Sequence, residues 1–154
     1  MKYWLMKSEP DVFGIDALAR AKAKRTGWDG VRNYQVRNML RDEMKQGDLA
    51  FFYHSSCEVP GIYGIVRIAK EGHPDPTAFA HGHDHHDPKS DPAKPTWYMV
   101  EVELVEKFTT PITLATLKAN ADVLEELLIL RRGNRLSITP ITASQWKKVL
   151  KLAH

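Results

Sequence analysis

At 154 residues, 43% hydrophobic and 27% charged, the chain has the length and balance of one folded domain spanning 1–154, and not of a disordered polypeptide. No apolar run approaches the roughly 18 residues a membrane-spanning helix needs, MKYWLMKSEP at the N-terminus lacks the apolar core of a secretory signal, and the lone cysteine, Cys57, excludes an intrachain disulfide. A cytoplasmic monomer with no membrane contact is therefore expected, and the net charge of +3 is too small to name a partner, although seven bases against one acid between Arg20 and Arg41 predict a positive edge.

In chain order, KYWLMK (2–7) predicts a short strand, halted at Glu9-Pro10 because proline removes a ladder donor. IDALARAKAK (15–24) predicts a helix with Asp16 as its N-cap. Gly27 and Gly30 interrupt the chain. Asn33 then caps a second helix over 34–45, in which Val36, Met39, Leu40 and Met44 form one buried stripe, with Gly47 as the stop. LAFFYHS (49–55) and GIYGIVRIAKEG (61–72) predict a hairpin.

Residues 73–96, rich in Pro, Asp and His and without periodicity, predict a long excursion over the surface, too polar to pack. WYMVEVELVEKF (97–108) is the clearest strand, with Val100, Val102 and Leu104 on one face and Glu101 and Glu103 on the other. ITLATLKAN (112–120) and ADVLEELLILRRG (121–133) predict two short helices, the second ending on Arg131, Arg132 and Gly133. RLSITPIT (135–142) predicts a strand interrupted by Pro140, and Thr142 with Gln145 opens a last helix as a capping box. Strands dispersed among helices predict an α+β fold, a curved mixed sheet or small barrel with helices outside.

Three stretches invite chemistry. HGHDHHD (81–87) brings together His81, His83, His85 and His86 with Asp84 and Asp87. Such ligands suit zinc, nickel or copper, but metal sites draw on separate rigid elements with fixed outer hydrogen bonds, so neither a metal nor another cofactor is expected. His54 and Cys57 could pair as base and nucleophile, yet neighbours in a hairpin loop rarely have that geometry. GxSxG, HExxH, P-loop and GxGxxG motifs do not occur, and an enzyme is not expected. WDGVRNYQVRN (28–38) combines aromatic planes, amides and arginines, the inventory for holding a base. Composition leaves two readings of it open: a base-binding wall, or Trp28 and Tyr34 in the core beside a solvated basic face.

YWLMKSEP (3–10), GWDGVRNYQVRNML (27–40), GDLAFFYHSS (47–56), DPKSDPAKPTWYMVEVE (87–103) and RLSITPIT (135–142), in that order, resemble the EVE domain over essentially the whole chain. The resemblance implies a PUA-like fold, a curved mixed β-barrel with flanking helices, related to the YTH domains. It implies a binding module, with no reaction, for a methylated or hydroxymethylated base of DNA or RNA flipped into an aromatic and polar pocket. A sensor of a free nucleobase, nucleoside or similar planar metabolite is the alternative, and a hydrolase or transferase using His54 and Cys57 the third.

Carried onto this chain, the resemblance places the pocket at Lys7, Ser8, Trp28, Val31, Arg32, Asn33 and Tyr34 with Phe52, His54 and Ser55, and puts Arg135 and Ser137 on its rim. Trp28 would be the stacking wall, with Phe52 or Phe79 substituting for a second cage aromatic. Asn33, Ser8 and His54 would read the base edge, while Lys22, Lys24, Arg25, Arg37 and Arg41 would track phosphates. Asn33 is also the expected helix cap, and Tyr34 either closes the pocket or packs beneath it.

Overall fold

The first strand, β1 (Tyr3–Ser8), divides its side chains between the two faces of a sheet: Trp4 and Met6 enter one apolar cluster and Leu5 the other, all essentially fully buried. This is the alternation of a strand covered on both sides. The computed structural model describes residues 1–124, 127–131 and 133–153. β1 runs parallel to β3 (Leu49–His54) and antiparallel to β6 (Ile138–Ile141). A parallel pair requires a long crossover, here residues 9–48, which contain most of the cover over one face.

β3 pairs with β4 (Gly61–Pro74), the hairpin expected across SCEVP, and β4 with β5 (Tyr98–Thr113), which pairs in turn with β2 (Arg25–Trp28). The order β2-β5-β4-β3-β1-β6 is a mixed six-stranded sheet with flanking helices, the α+β class expected. β2 and β6 stand at its two ends, so the pairing describes an open ladder and does not close a barrel. Register shifts at four places along β4 and β5 bend the long strands, because each bulge kinks its strand and adds local twist.

The crossover departs from expectation in its first half. The helix predicted over 15–24 stops early: α1 (Pro10–Phe13) and α2 (Ile15–Arg20) are separate short helices. Ala23 and Lys24 then adopt positive φ of 57° and 52°, and the chain re-enters the sheet as β2. Lys22–Lys24 form a 3-10 turn that ends the helical run ahead of the pairing with β5. Asp16 is not the N-cap; Gly14 holds that position, and Asp16 lies in the first turn, ion-paired to Lys107. The Lys107 ammonium holds the Asp16 carboxyl below its usual value.

Asn33 does cap α3 (Tyr34–Asn38), its Oδ1 accepting from the Val36 amide at 3.0 Å, and the helix continues as a π-helical turn, Met39–Glu43. Val36, Met39, Leu40 and Met44 are buried as the stripe predicted.

Residues 73–96 are not wholly superficial. A 3-10 turn, Pro76–Phe79, follows Asp75, and both Asp75 and Ala78 are buried. Near the end, α4 (Leu114–Ala119) forms as expected behind its Thr113 cap. The described part of 121–133 contains turns and a short 3-10 segment, Leu128–Leu130, where an α-helix was expected. Arg132, expected at that helix end, lies outside the described residues.

β6 carries Pro140 at the sheet edge, where a missing donor is tolerated. α5 (Ala143–Leu150) opens with the full Thr142–Gln145 capping box and buries Trp146. Among the described residues, no helix is long and apolar enough to cross a membrane.

Candidate functional site

The end of β1, α1, β2 and the loop after it enclose a cavity of about 520 Å³, within the size range of sites for small planar ligands. Lys7, Ser8 and Glu9 come from the end of β1, Val12 and Phe13 from α1, Thr26 to Trp28 from β2, and Asp29 and Gly30 from the following loop. The remaining wall is His85, brought in from the histidine-rich segment.

Trp28 sits at the end of β2, 9% exposed, its ring meeting Phe52 edge-on at 5.6 Å and 85°. Phe52 is fully buried and braces the indole from behind. Phe13 is the second aromatic lining the cavity. Ser8 Oγ donates to the Phe13 carbonyl at 2.5 Å, tying α1 to β1. Burial lowers the Lys7 ammonium below its usual pKa, so the cavity has a partly desolvated cation on one side.

One carboxylate organises the opposite wall. Asp75, fully buried, accepts from the Gly30 amide (2.8 Å), the Arg32 guanidinium (3.1 Å), and the Thr77 amide (2.8 Å) and hydroxyl (2.6 Å). Burial pushes the Asp75 carboxyl upward, but hydrogen bonds from Thr77, Gly30 and Arg32 outweigh it, leaving the group below its ordinary value. Arg32 also donates through Nε to the His85 carbonyl at 3.1 Å, and through Nη2 to the same oxygen. The guanidinium is thus engaged on three sides inside the protein, with Trp97 at 5.5 Å from its carbon.

Of the residues that the sequence pointed to, Lys7, Ser8 and Trp28 line the cavity together. Val31 is buried and joins the core beneath it. Asn33 is occupied as the cap of α3. Tyr34 is 61% exposed, tilted against Trp97 at 4.9 Å and covered by Arg37 at 5.2 Å.

His54 is buried, stacked on Tyr63 at 3.9 Å, and its Nε2 accepts from the Ile15 amide at 3.1 Å, which satisfies a first-turn donor of α2. That contact places the ring proton on Nδ1. Burial lowers its pKa. Ser55 is paired through its backbone amide to the Ser8 carbonyl, and Ser137 through its carbonyl to the Lys7 amide; Arg135 is exposed. Phe79 is half-buried on its 3-10 turn.

Among the cations expected to meet phosphates, Lys22 and Lys24 are exposed and have no ion pair among the described residues. Arg25 pairs with Glu101 at 3.3 Å, Arg41 with Asp42 at 2.8 Å, and Arg37 donates to the Thr96 carbonyl at 2.8 Å. No group of three or more His, Cys, Asp or Glu among the described residues is arranged to hold a metal ion.

Sequence reasoning did not place Glu9, Val12, Phe13, Thr26, Gly27, Asp29, Gly30 or His85 at the cavity, nor Asp75 behind it. Asp75-Pro76 before Thr77 was a readable turn signal, since aspartate caps such turns, whereas the reach of His85 to Gly30 has no local signature.

Comparison with known proteins places these observations in a family. Residues 2–152 match the EVE domain. Thymocyte nuclear protein 1 from Homo sapiens is 43% identical across 97% of this chain and 73% of its own length. The crystal structure of a Pseudomonas putida protein superposes with a TM-score of 0.93 at 48% identity, covering 99% of both chains. The human THYN1 protein, crystallised in complex with 5-methylcytosine-containing DNA, superposes with a TM-score of 0.93 at 42% identity, covering 100% of this chain and 98% of that one. The chain belongs to the EVE domain family.

Proposed function

We propose that this protein binds DNA carrying a modified base, 5-methylcytosine foremost, and receives that base, turned out of its stack, in the cavity beside Trp28. The observation that carries the reading is the pairing of an aromatic wall with polar groups in one cavity: Trp28 braced by Phe52, Phe13 nearby, and Lys7 and Ser8 at the rim. The complex of the human relative with 5-methylcytosine-containing DNA supports it.

A base stacked on an aromatic side chain gains about 1–3 kcal/mol, and a flipped base is read at its polar edge. The edge readers in this proposal are Lys7, Ser8 and the carboxylates Glu9 and Asp29, because these line the cavity, whereas Asn33 and His54 are not among its lining residues and their Oδ1 and Nε2 serve the Val36 and Ile15 amides. A methyl group adds at most about 1 kcal/mol by leaving water for an apolar wall, so preference over the plain base is modest, roughly fivefold.

Fluorescence anisotropy across single- and double-stranded DNA and RNA carrying cytosine, 5-methylcytosine or 5-hydroxymethylcytosine tests the reading. Trp28→Phe is expected to keep much of the affinity and Trp28→Ala to lose roughly ten- to a hundredfold. Equal binding by Trp28→Ala and the wild type would remove the pocket from the mechanism. Affinity that ignores added salt would indicate a free planar metabolite instead, since phosphate contacts release counterions.

A further inference from the structure

Among the described residues, Tyr34 is the exposed aromatic side chain, and it is nonetheless held in place, tilted against Trp97 and covered by the Arg37 guanidinium. Tyr34, Arg37 and Asn38 stand at i, i+3 and i+4 of α3, so they share one face of it. That face adjoins the groups behind the cavity: Trp97 touches Tyr34 and also the Arg32 guanidinium, which holds the Asp75 carboxylate and the His85 carbonyl.

Arg37 is fixed before any ligand arrives. Its Nη1 donates to the Thr96 carbonyl at 2.8 Å, its Nε to Asn38 Oδ1 at 2.8 Å, and its guanidinium carbon lies over the Tyr34 ring. Among the described residues, Arg37 Nη2, the Asn38 amide nitrogen and the Tyr34 hydroxyl have no hydrogen-bond partner. Because Asn38 Oδ1 already accepts from Arg37, the Asn38 amide adds a donor to this face. Asp42, the acid that feels the Arg37 charge, is engaged by Arg41 through both oxygens at 2.8 Å. A half-exposed guanidinium flanked by donors suits an anion, and its fixed position keeps the entropy lost on binding small.

We propose that the face of α3 formed by Tyr34, Arg37 and Asn38 is a phosphate site: Arg37 Nη2 donates to a backbone phosphate of the strand whose base enters the cavity, and the Asn38 amide and Tyr34 hydroxyl flank it as further donors. The assignment rests on the base-binding reading above and names the group that holds the strand while the cavity holds the base. A phosphate contact positions a strand and carries no sequence information, so this face adds affinity without preference among bases.

The test titrates wild type, Arg37→Gln and Asn38→Asp with single-stranded DNA containing one 5-methylcytosine, in which each linkage in turn is replaced by a neutral methylphosphonate. In the wild type, neutralising one linkage beside the modified base should weaken binding about tenfold, the size of one charged hydrogen bond. Arg37→Gln should lose about as much on the unmodified backbone, become indifferent to that linkage, and show a slope of log affinity against log salt shallower by about one. Asn38→Asp puts a carboxylate where the phosphate would lie and should also weaken binding at least tenfold. Both variants should lose equally on cytosine and 5-methylcytosine strands.

A wild-type salt slope in Arg37→Gln, or a methylphosphonate effect that survives that substitution, would overturn the assignment alone. A wild-type protein that binds no oligonucleotide would overturn the base-binding reading and this assignment with it. Weakened binding by Arg37→Gln beside unchanged binding by Trp28→Ala would support the phosphate site and remove the base pocket. Arg37→Gln also gives up the Thr96 contact, so matched thermal melting accompanies it; Asn38 is exposed, and wild-type affinity in a folded Asn38→Asp would count against the site without that complication.

Discussion

On one face of the sheet, Phe51 and Tyr3 stack on Trp146 at 3.9 and 4.6 Å, within a cluster that also takes Leu5 and Tyr53. On the other, Trp4, Met6 and Phe52, from alternate positions of the same strands, join Trp28. The first face is closed by α5, a helix with a complete capping box that presses one large indole onto the strands. The second is covered by short pieces, α1, α2, β2 and the loop from Gly30, and a cavity remains where they meet. Short pieces leave backbone groups that a continuous helix would pair internally, so this cover requires polar anchors such as Asp75 and His54. Both faces bury an apolar cluster, and the proposed binding cavity belongs to the second alone.

The sharpest way to break that division is Trp146→Ala. Removing a buried indole costs about 3–5 kcal/mol, read as a shift of the denaturation midpoint, and oligonucleotide affinity should be unchanged wherever the variant remains folded. A proportionate loss of affinity would show that the faces are coupled.

Asp75→Asn should cost less, about 2–3 kcal/mol, because it leaves Arg32 without its charge partner inside the protein. Unlike Trp146→Ala, it should also weaken binding, since it releases both Gly30 and His85. Asp75 adds an acid signature. Its folded pKa lies below the usual 3.8, so its stabilisation is present above that value and is lost as pH falls through the folded one. Asp75→Asn should flatten this part of the stability curve.

His54 acts in a higher window with a smaller effect. Its folded pKa lies below the usual 6.5, so the unfolded chain binds more protons in the interval between. Stability is full above 6.5 and declines as pH drops toward the folded value. Urea denaturation at stepped pH should show this decline, and His54→Gln should remove it. The smallest expected effect is that of Lys22→Gln with Lys24→Gln. Stability should stay within about 0.5 kcal/mol, while the slope of log affinity against log salt should become shallower by about one for each phosphate that these lysines neutralise.

The scaffold was legible where periodicity and caps carry it: β1, the β3–β4 hairpin, the first part of β5, the stripe from Val36 to Met44, and the Asn33 and Thr142 caps. β2 was not, because RTGW is short, contains Gly27 and lacks alternation, and its pairing with β5 is a long-range contact with no local mark. Of the eleven residues lining the cavity, the sequence pointed to three. Lys7, Ser8 and Trp28 lie in stretches that resemble the family, whereas Phe13 reads as an ordinary apolar residue after a proline, and His85 sits in a polar run with no period. The segment 73–96 has too few apolar residues to anchor itself; a charged pair, Arg32 with Asp75, brings its first part inward.

Arg32 grips position 85 by its backbone carbonyl, an atom every residue has. Where the side chain is presented is therefore uncoupled from which side chain it is. Substitution at 85 should therefore leave the path of the loop and its anchorage through Arg32 to Asp75 in place.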